Sequence, residues 1–509
     1  MLWPGGEKEV RICRIHGIAA GVRAVYGVGM SSSTGATGTG GRLVIASNRL
    51  PAVIRPEGDG FTLGPAAGGL ATGLRPLHER GGSVWIGWAS DLPCVPRVAR
   101  KRLIRDLHAR RLVPVELTRH EAQSYYDDIC NGVLWPLFHY QVDRIPLQTP
   151  DWNVYRAINE RFADAIVREY RDGDVIWIHD YHLLLVPGLV RNRLPDAPIG
   201  FFLHIPFPAL EVLQVAPWRR EIVAGMLGAN VVGFHTPAYA AQFENAVRAL
   251  TAFEVETGRV VANARSVRVA AYPMGVDAPW FTAMAQSAAV QREREQLLAP
   301  SPERQLLLGV DRLDYTKGIA RRLLAYEQLL RHHAHLRGRV ELIQVAVPSR
   351  ESAPSYGEFR REVERLVARI NGEHATLQWT PIRYLHQQVS PAQLIALYAA
   401  ADVMLVTPLR DGMNLVAKEF VASRADGDGV LVLSELAGAA GQLAEAVLVN
   451  PYAIDEMASA MKNALAMDAA ERRRRMRALR VRVAAQDVAW WASSILRDLR
   501  PLGRDERAA

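Results

Sequence analysis

From Leu43 onward the chain alternates short apolar runs with helix-patterned segments, and this alternation is the strongest constraint on its fold. The spacing predicts strands at 42–47, 84–88, 112–116, 174–179, 198–203, 230–234 and 268–272, then at 305–310, 340–346, 376–380, 402–407, 429–433 and 446–449. Helical periodicity lies between them, for example at 154–170, 238–251, 318–332, 357–370, 391–400 and 453–466. Strands that alternate with helices build parallel sheets covered by helices on both faces. Thirteen strands are too many for one comfortable twisted sheet, and the polar stretch around 283–304 parts them into two groups. The reading is an α/β chain with two Rossmann-like domains facing each other across a cleft. No internal repeat is visible.

A length of 509 residues suits two or three domains, and 49% hydrophobic with 22% charged residues is a globular composition. No apolar run is long enough to cross a bilayer, and the opening residues lack a signal-peptide pattern, so cytoplasmic residence without a membrane partner is expected. Cys13, Cys94 and Cys130 lie far apart without CxxC spacing, which excludes a disulfide scaffold and a cysteine-based zinc site. Part of the +8 net charge sits in the run Glu471–Arg482. Met476, Leu479 and Val483 recur there at helical spacing, which predicts the solvated face of an amphipathic helix. No aromatic platform accompanies the arginines, so no nucleic-acid partner is expected. Residues 1–41 read as a flexible extension, ending in the low-complexity tract Ser31–Gly41, and Met30 is a candidate start. The glycines of that tract precede a strand, whereas a dinucleotide loop follows one.

Five polar clusters follow apolar runs directly: His179–His182, His204–Pro208, Asp311–Gly318, Ser349–Arg350 and Arg410–Glu419. Ligands of open α/β sheets sit beyond the carboxyl ends of the strands, so these clusters predict a large polar cleft. Arg312 and Lys317, near a glycine and a helix start, suit a diphosphate. Arg49 and Arg350 offer a second anion site, because arginine forks match phosphate oxygens. Gly68 and Gly69 open a helix and permit close backbone approach, while Tyr126 and Trp135 supply a hydroxyl and an indole N–H to a sugar phosphate. Two phosphate sites with carboxylates and histidines between them point to transfer between two phosphorylated molecules. Asp426-Gly427-Asp428 has the form of a Mg²⁺-binding pair but the composition of a surface turn, so no metal is assigned to it.

The strings Ser47-Asn48-Arg49, Ala67-Gly68-Gly69-Leu70, Asn131–Pro136, Trp177–His182, Leu203–Pro208, Arg312–Gly318 and Arg410–Glu419 together resemble the trehalose-6-phosphate synthase family, in order and at compatible spacing from about residue 42 to about 500. The resemblance implies a retaining, metal-independent glycosyltransferase of GT-B type, with domains at 42–282 and 283–483 and a segment at 484–509 whose helix returns to the first domain. It would move glucose from a nucleotide diphosphate to glucose 6-phosphate. Both are substrates; no cofactor is implied, and homo-oligomers are a family expectation. By the same resemblance Arg49, Tyr126, Trp135, Asp180 and Arg350 hold the acceptor. Gly68, Gly69, His204, Arg312, Lys317, Val389 (through its backbone), Asp411, Met413, Asn414, Leu415, Val416, Ala417, Lys418 and Glu419 hold the donor.

Asp180, His204, Arg312, Lys317 and Asp411 carry the catalysis implied by the resemblance. Retention commonly uses a carboxylate nucleophile. This family favours front-face transfer instead, with the leaving phosphate drawing the acceptor proton and Asp180 orienting the acceptor. The extra length between Arg49 and Gly68, including Glu57–Gly60, is expected to be a mobile loop over the acceptor pocket, and a phosphatase-type Asp-x-Asp motif has no match. A different phosphorylated acceptor, such as glycerol 3-phosphate, and a non-catalytic regulatory role are the competing readings.

Overall fold

The computed structural model describes residues 41–57, 60–66, 69–90, 92, 95–262, 265–300, 303–350 and 354–499. The expected extension up to Gly40, together with Cys13, Cys94 and Gly68, lies outside the described residues. The strands are β1 (Leu43–Arg49), β2 (Ala52–Glu57), β3 (Gly60–Pro65), β4 (Val84–Trp88), β5 (Leu112–Val115), β6 (Val175–His179), β7 (Ile199–Phe202), β8 (Val231–Phe234), β9 (Glu254–Glu256), β10 (Arg259–Ala262) and β11 (Arg265–Ala271). They continue as β12 (Gln305–Arg312), β13 (Val340–Val347), β14 (Ile382–Leu385), β15 (Val403–Val406), β16 (Val430–Ser434) and β17 (Val447–Val449).

The first sheet has the order β5-β4-β1-β6-β7-β8-β11-β10-β9, and the second the order β14-β13-β12-β15-β16-β17. Pairings are parallel throughout the second sheet and from β5 to β11 in the first; only β10 and β9 add antiparallel edges. Every residue of β4, β7, β8, β15 and β16 is buried, as helices on both faces require. This is the two-Rossmann GT-B arrangement.

Two expectations need correction. The strand placed at 376–380 is a turn closed by the Thr376–Trp379 bridge, and the paired strand is β14. Trp379 is apolar because its ring is buried, with its indole donating to the Val340 carbonyl at 2.8 Å. Much of the length between Arg49 and Gly68 is strand, paired as the hairpin β2 against β3; Gly58 and Asp59 lie outside the described residues. The segment Gln123–Leu134 is a π-helix, capped upstream by a Thr118–Glu121 capping box.

The final helix, Val488–Leu499, returns to the first sheet. Trp491 packs on Trp177 with ring centroids 5.0 Å apart, and Tyr272 donates to Asp498 at 2.6 Å. Leu499 lies so close to β7 that a Cβ on Gly200 would fall 2.6 Å from it. The two crossings between the sheets press together: a methyl group on Gly275 would collide with the Gln486 carbonyl, and Val488 N–H donates to Val276 at 3.3 Å. The arginine run forms the helix Ala469–Ala485, with Met476, Leu479 and Val483 buried. Arg474 and Arg475 pair with Glu471, Arg472 with Asp428 and Arg482 with Glu445, so much of the basic face is already neutralised. No described helix is long and apolar enough to cross a membrane.

Candidate active site

Each sheet has a topological switch point, and the polar clusters sit at both. In the first sheet the chain leaves β1 for β4 and β5 on one side, then returns to β6 on the other. The crevice beyond β1 and β6 holds Arg49, which ends β1, and Asp180, which follows β6. In the second sheet the chain leaves β12 for β13 and β14, then returns to β15. Arg312 ends β12, and Thr407–Asp411 follow β15. The two crevices meet. Arg350 donates to the Tyr181 hydroxyl at 3.1 Å, Tyr239 donates to the Asp411 carbonyl at 3.2 Å, and Arg410 lies 3.9 Å over the Tyr140 ring. A methyl group on Gly412 would collide with the His204 carbonyl, so glycine is needed for this approach.

On the second-sheet side, Asp314 caps the turn Tyr315–Lys317, accepting from the Thr316 amide at 3.0 Å and hydroxyl at 2.8 Å. Gly318 then turns with φ 68°, pressed against the Thr407 carbonyl, where a side chain would have no room. Fully buried Arg322 supports the turn from beneath, donating to Asp311 at 2.5 Å, to Thr407 Oγ1 at 3.0 Å and to the Lys317 carbonyl at 3.3 Å. Lys317 Nζ therefore reaches Asp411 Oδ2 at 2.5 Å, and Asn414 donates to the same oxygen at 3.1 Å. Burial pushes the Asp411 carboxyl up, but Lys317, together with His139 and Arg312, holds the group below the usual range. Arg312 is the more exposed cation, 3.7 Å from Asp314 and 5.1 Å over the Trp135 ring. Asn414 caps the helix Leu415–Ser423, whose half-buried Glu419 has its carboxyl raised by desolvation and accepts a hydrogen bond from Tyr398 at 2.9 Å.

On the first-sheet side, Arg49 lies 4.8 Å over Tyr126 and 5.3 Å over Trp88. Burial pushes the Tyr126 phenol up, yet Arg49, Arg350 and Arg312 together leave it lowered. Arg350 sits 3.9 Å over Trp135 with φ 51°, an uncommon backbone conformation for a residue other than glycine and a sign of local constraint. Among the described residues, Trp135 Nε1 and Arg350 Nε are buried donors without a protein acceptor, as expected of groups kept for a ligand. Asp180 also has positive φ, 77°, and accepts from the His204 amide at 3.2 Å. Burial raises its carboxyl to about 6. His204 Nε2 meets His179 Nδ1 at 3.1 Å, and burial lowers His204 to about 3, so both rings are neutral near pH 7.

The glycosyltransferase family 20 model matches residues 41–501. The chain belongs to glycosyltransferase family 20. The trehalose-6-phosphate synthase of Mycolicibacterium smegmatis is 42% identical over 471 residues, covering 90% of this chain and 92% of that protein. The bifunctional trehalose-6-phosphate synthase/phosphatase of Thermoproteus tenax is 43% identical over 470 residues; the chain spans only 63% of its length. Among solved structures, the UDP-forming α,α-trehalose-phosphate synthase of Burkholderia xenovorans in complex with glucose 6-phosphate superposes with a TM-score of 0.81. That pair is 36% identical, with 90% of this chain and 100% of the other covered.

The structure brings together Arg49, Tyr126, Trp135, Asp180, His204, Arg312, Lys317, Arg350, Asp411 and Asn414 through the contacts above. Gly69 opens the helix Gly69–Gly81 so close to Leu415 that a Cβ would fall 2.5 Å from the Leu415 side chain. Val389, in the loop after β14, packs against the same core cluster as Leu415 and Val416. Met413 and Ala417 are buried, leaving the backbone as their means of contact. Lys418 presents no side chain to the gap. Its ammonium donates at 2.6 Å to the Met274 carbonyl, in the crossing between the sheets, and at 2.6 Å to Gln442 Oε1, and burial lowers it to about 7. Asp426 and Asp428 are engaged by Arg424 and Arg472. Sequence reasoning assigned no role to Tyr181, Asn131, Tyr356, Asp314 or His179, although four of them stand inside the quoted motifs. Tyr126 and Asn131 are five residues apart, which the i→i+5 bonding of a π-helix places on one side; a helical pattern at 3.6 residues per turn hides this.

Proposed function

We propose that this chain transfers glucose from UDP-glucose to glucose 6-phosphate with retention, forming α,α-trehalose 6-phosphate. The observation that carries the reading is the meeting of cations from both lobes: Arg312, Lys317 and Arg350 at the ends of second-sheet strands, facing Arg49 with Asp180 and His204 at the ends of first-sheet strands. Departure of a nucleoside diphosphate builds negative charge, and cations fixed in advance lower that barrier without reorganisation. Lys317 is so fixed by Asp411 and by the Arg322-supported turn. Glu419 suits the ribose hydroxyls as an acceptor, and the Asp411–Asn414 loop suits the donor glucose. Arg49, Tyr126, Trp135 and Arg350 suit the acceptor phosphate.

Asp180 is largely ionised near neutral pH, since its carboxyl titrates at about 6, and accepts hydrogen bonds from the acceptor sugar. In the front-face step, the acceptor oxygen bonds to the anomeric carbon as the bond to the diphosphate breaks. The acceptor proton passes to the leaving phosphate oxygen, so no glycosyl-enzyme forms. Metal independence, cytoplasmic residence and a homo-oligomeric state belong to the same proposal. The test is steady-state turnover with UDP-, ADP- and GDP-glucose against glucose 6-phosphate and glycerol 3-phosphate. Turnover with glucose 6-phosphate supports the reading; silence with every nucleotide-glucose, or preference for glycerol 3-phosphate, defeats it.

A further inference from the structure

Arg350 belongs to the second sheet's lobe, yet part of its support comes from the first. Its side chain is only 4% exposed. From its own lobe, Asp314 accepts from Nη1 at 3.4 Å, and the Tyr356 hydroxyl also accepts from Nη1 while donating to Asp314 at 3.2 Å. From the other lobe, the Tyr181 hydroxyl accepts from Nη2 at 3.1 Å. That hydroxyl has one proton, and it donates it to Asn131 Oδ1 at 3.0 Å. The polarity of the chain is thus fixed. Asn131 takes the Tyr181 proton, which leaves the Tyr181 lone pairs facing Arg350. Tyr181 and Asn131 are 2% and 3% exposed, so water does not compete for these bonds. With Nη1 and Nη2 occupied, Nε is the buried donor left without a protein partner. Asn131 also acts on Tyr126, adding to the arginines that lower its phenol.

We propose that Tyr181 and Asn131 are positioning residues for the acceptor's phosphate: their relay across the cleft orients the Arg350 guanidinium, and so sets the preference for a phosphorylated over an unphosphorylated sugar. This rests on the acceptor role proposed for Arg350. Because the relay joins the two lobes, the phosphate site is complete only when they are closed.

Tyr181→Phe removes one hydroxyl and keeps the ring. It is expected to raise the KM for glucose 6-phosphate roughly tenfold, the size of one hydrogen bond to a charged group. Maximal turnover and the KM for UDP-glucose should stay within twofold. The ratio of kcat/KM for glucose 6-phosphate over glucose should fall by the same factor of roughly ten. Asn131→Leu should reproduce the effect, and the double variant should be no worse than the poorer single variant, because both act through one bond. Calorimetric binding of glucose 6-phosphate in the presence of UDP reads the same change without turnover. A wild-type protein that binds but does not turn over refutes the transferase reading alone. Equal losses toward both acceptors, additive variants, unchanged binding in Tyr181→Phe, or no binding by the wild type would each overturn the relay.

Discussion

Replacing Asp180 by Asn isolates the cost of holding a charge where the acceptor is expected to bind. Burial moves the Asp180 carboxyl from 3.8 up to about 6, with a side chain 21% exposed. The folded state therefore holds the proton more tightly than the unfolded chain, and between those two values stability falls as pH rises. The shift is about two units, so near neutral pH the ionised carboxylate costs the fold about 3 kcal/mol. Asn removes that charge and keeps an oxygen for the His204 amide. At roughly 2.1 cal/mol/K of unfolding entropy per residue, the variant's Tm should rise by about 3 °C at about pH 7.5. The gain should shrink to roughly 1 kcal/mol by about pH 4.5, where most of the wild-type carboxyl is protonated in the fold and part of it in the unfolded chain. Turnover should fall by roughly a hundredfold or more, because an amide accepts the acceptor's hydroxyl less well. Scanning calorimetry across this pH range checks the first part. A variant that is less stable than wild type at pH 7.5, or a gain that does not change with pH, would refute the burial argument.

Other outcomes follow from the same geometry. Lys317→Met should cut kcat by roughly 10²–10³-fold, since one fixed positive charge beside the leaving group is lost, and Asp411 should titrate upward in the variant. Gly412→Ala should hold the lobes apart through its clash with the His204 carbonyl. Small-angle scattering with both substrates present should then show no compaction, while thermal unfolding is little changed. Extended chelation with EDTA should leave activity unchanged, because Arg312 and Lys317 neutralise the diphosphate; loss on chelation and recovery with Mg²⁺ would contradict this.

Much of this architecture was legible because parallel strands bury both faces. The apolar runs of β4, β12, β13 and β16 have no other use, and the charged residues just beyond them mark the sheet ends where ligands sit. The strand misplaced at 376–380 shows the limit of the same signal: Trp379 is apolar to fill a core, not to pair in a ladder. The hairpin β2–β3 was hidden by Pro56, Gly60, Gly64 and Pro65, residues that usually interrupt strands. In the site, Arg312, Lys317, Asp411 and Asp180 were readable as charges at strand ends. The role of Lys418 was not, since only the fold turns its ammonium toward Met274. Tyr181 was equally silent, because its partner Arg350 is 169 residues away and reaches it only after two sheets have met.

The most direct test of the account is a crystal structure with UDP and glucose 6-phosphate bound together. The diphosphate is expected against Arg312 and Lys317, the acceptor phosphate against Arg49 and Arg350, and an acceptor hydroxyl within hydrogen-bond reach of both Asp180 and the β-phosphate. Either phosphate bound elsewhere, or an acceptor turned with its hydroxyls away from the diphosphate, would contradict it.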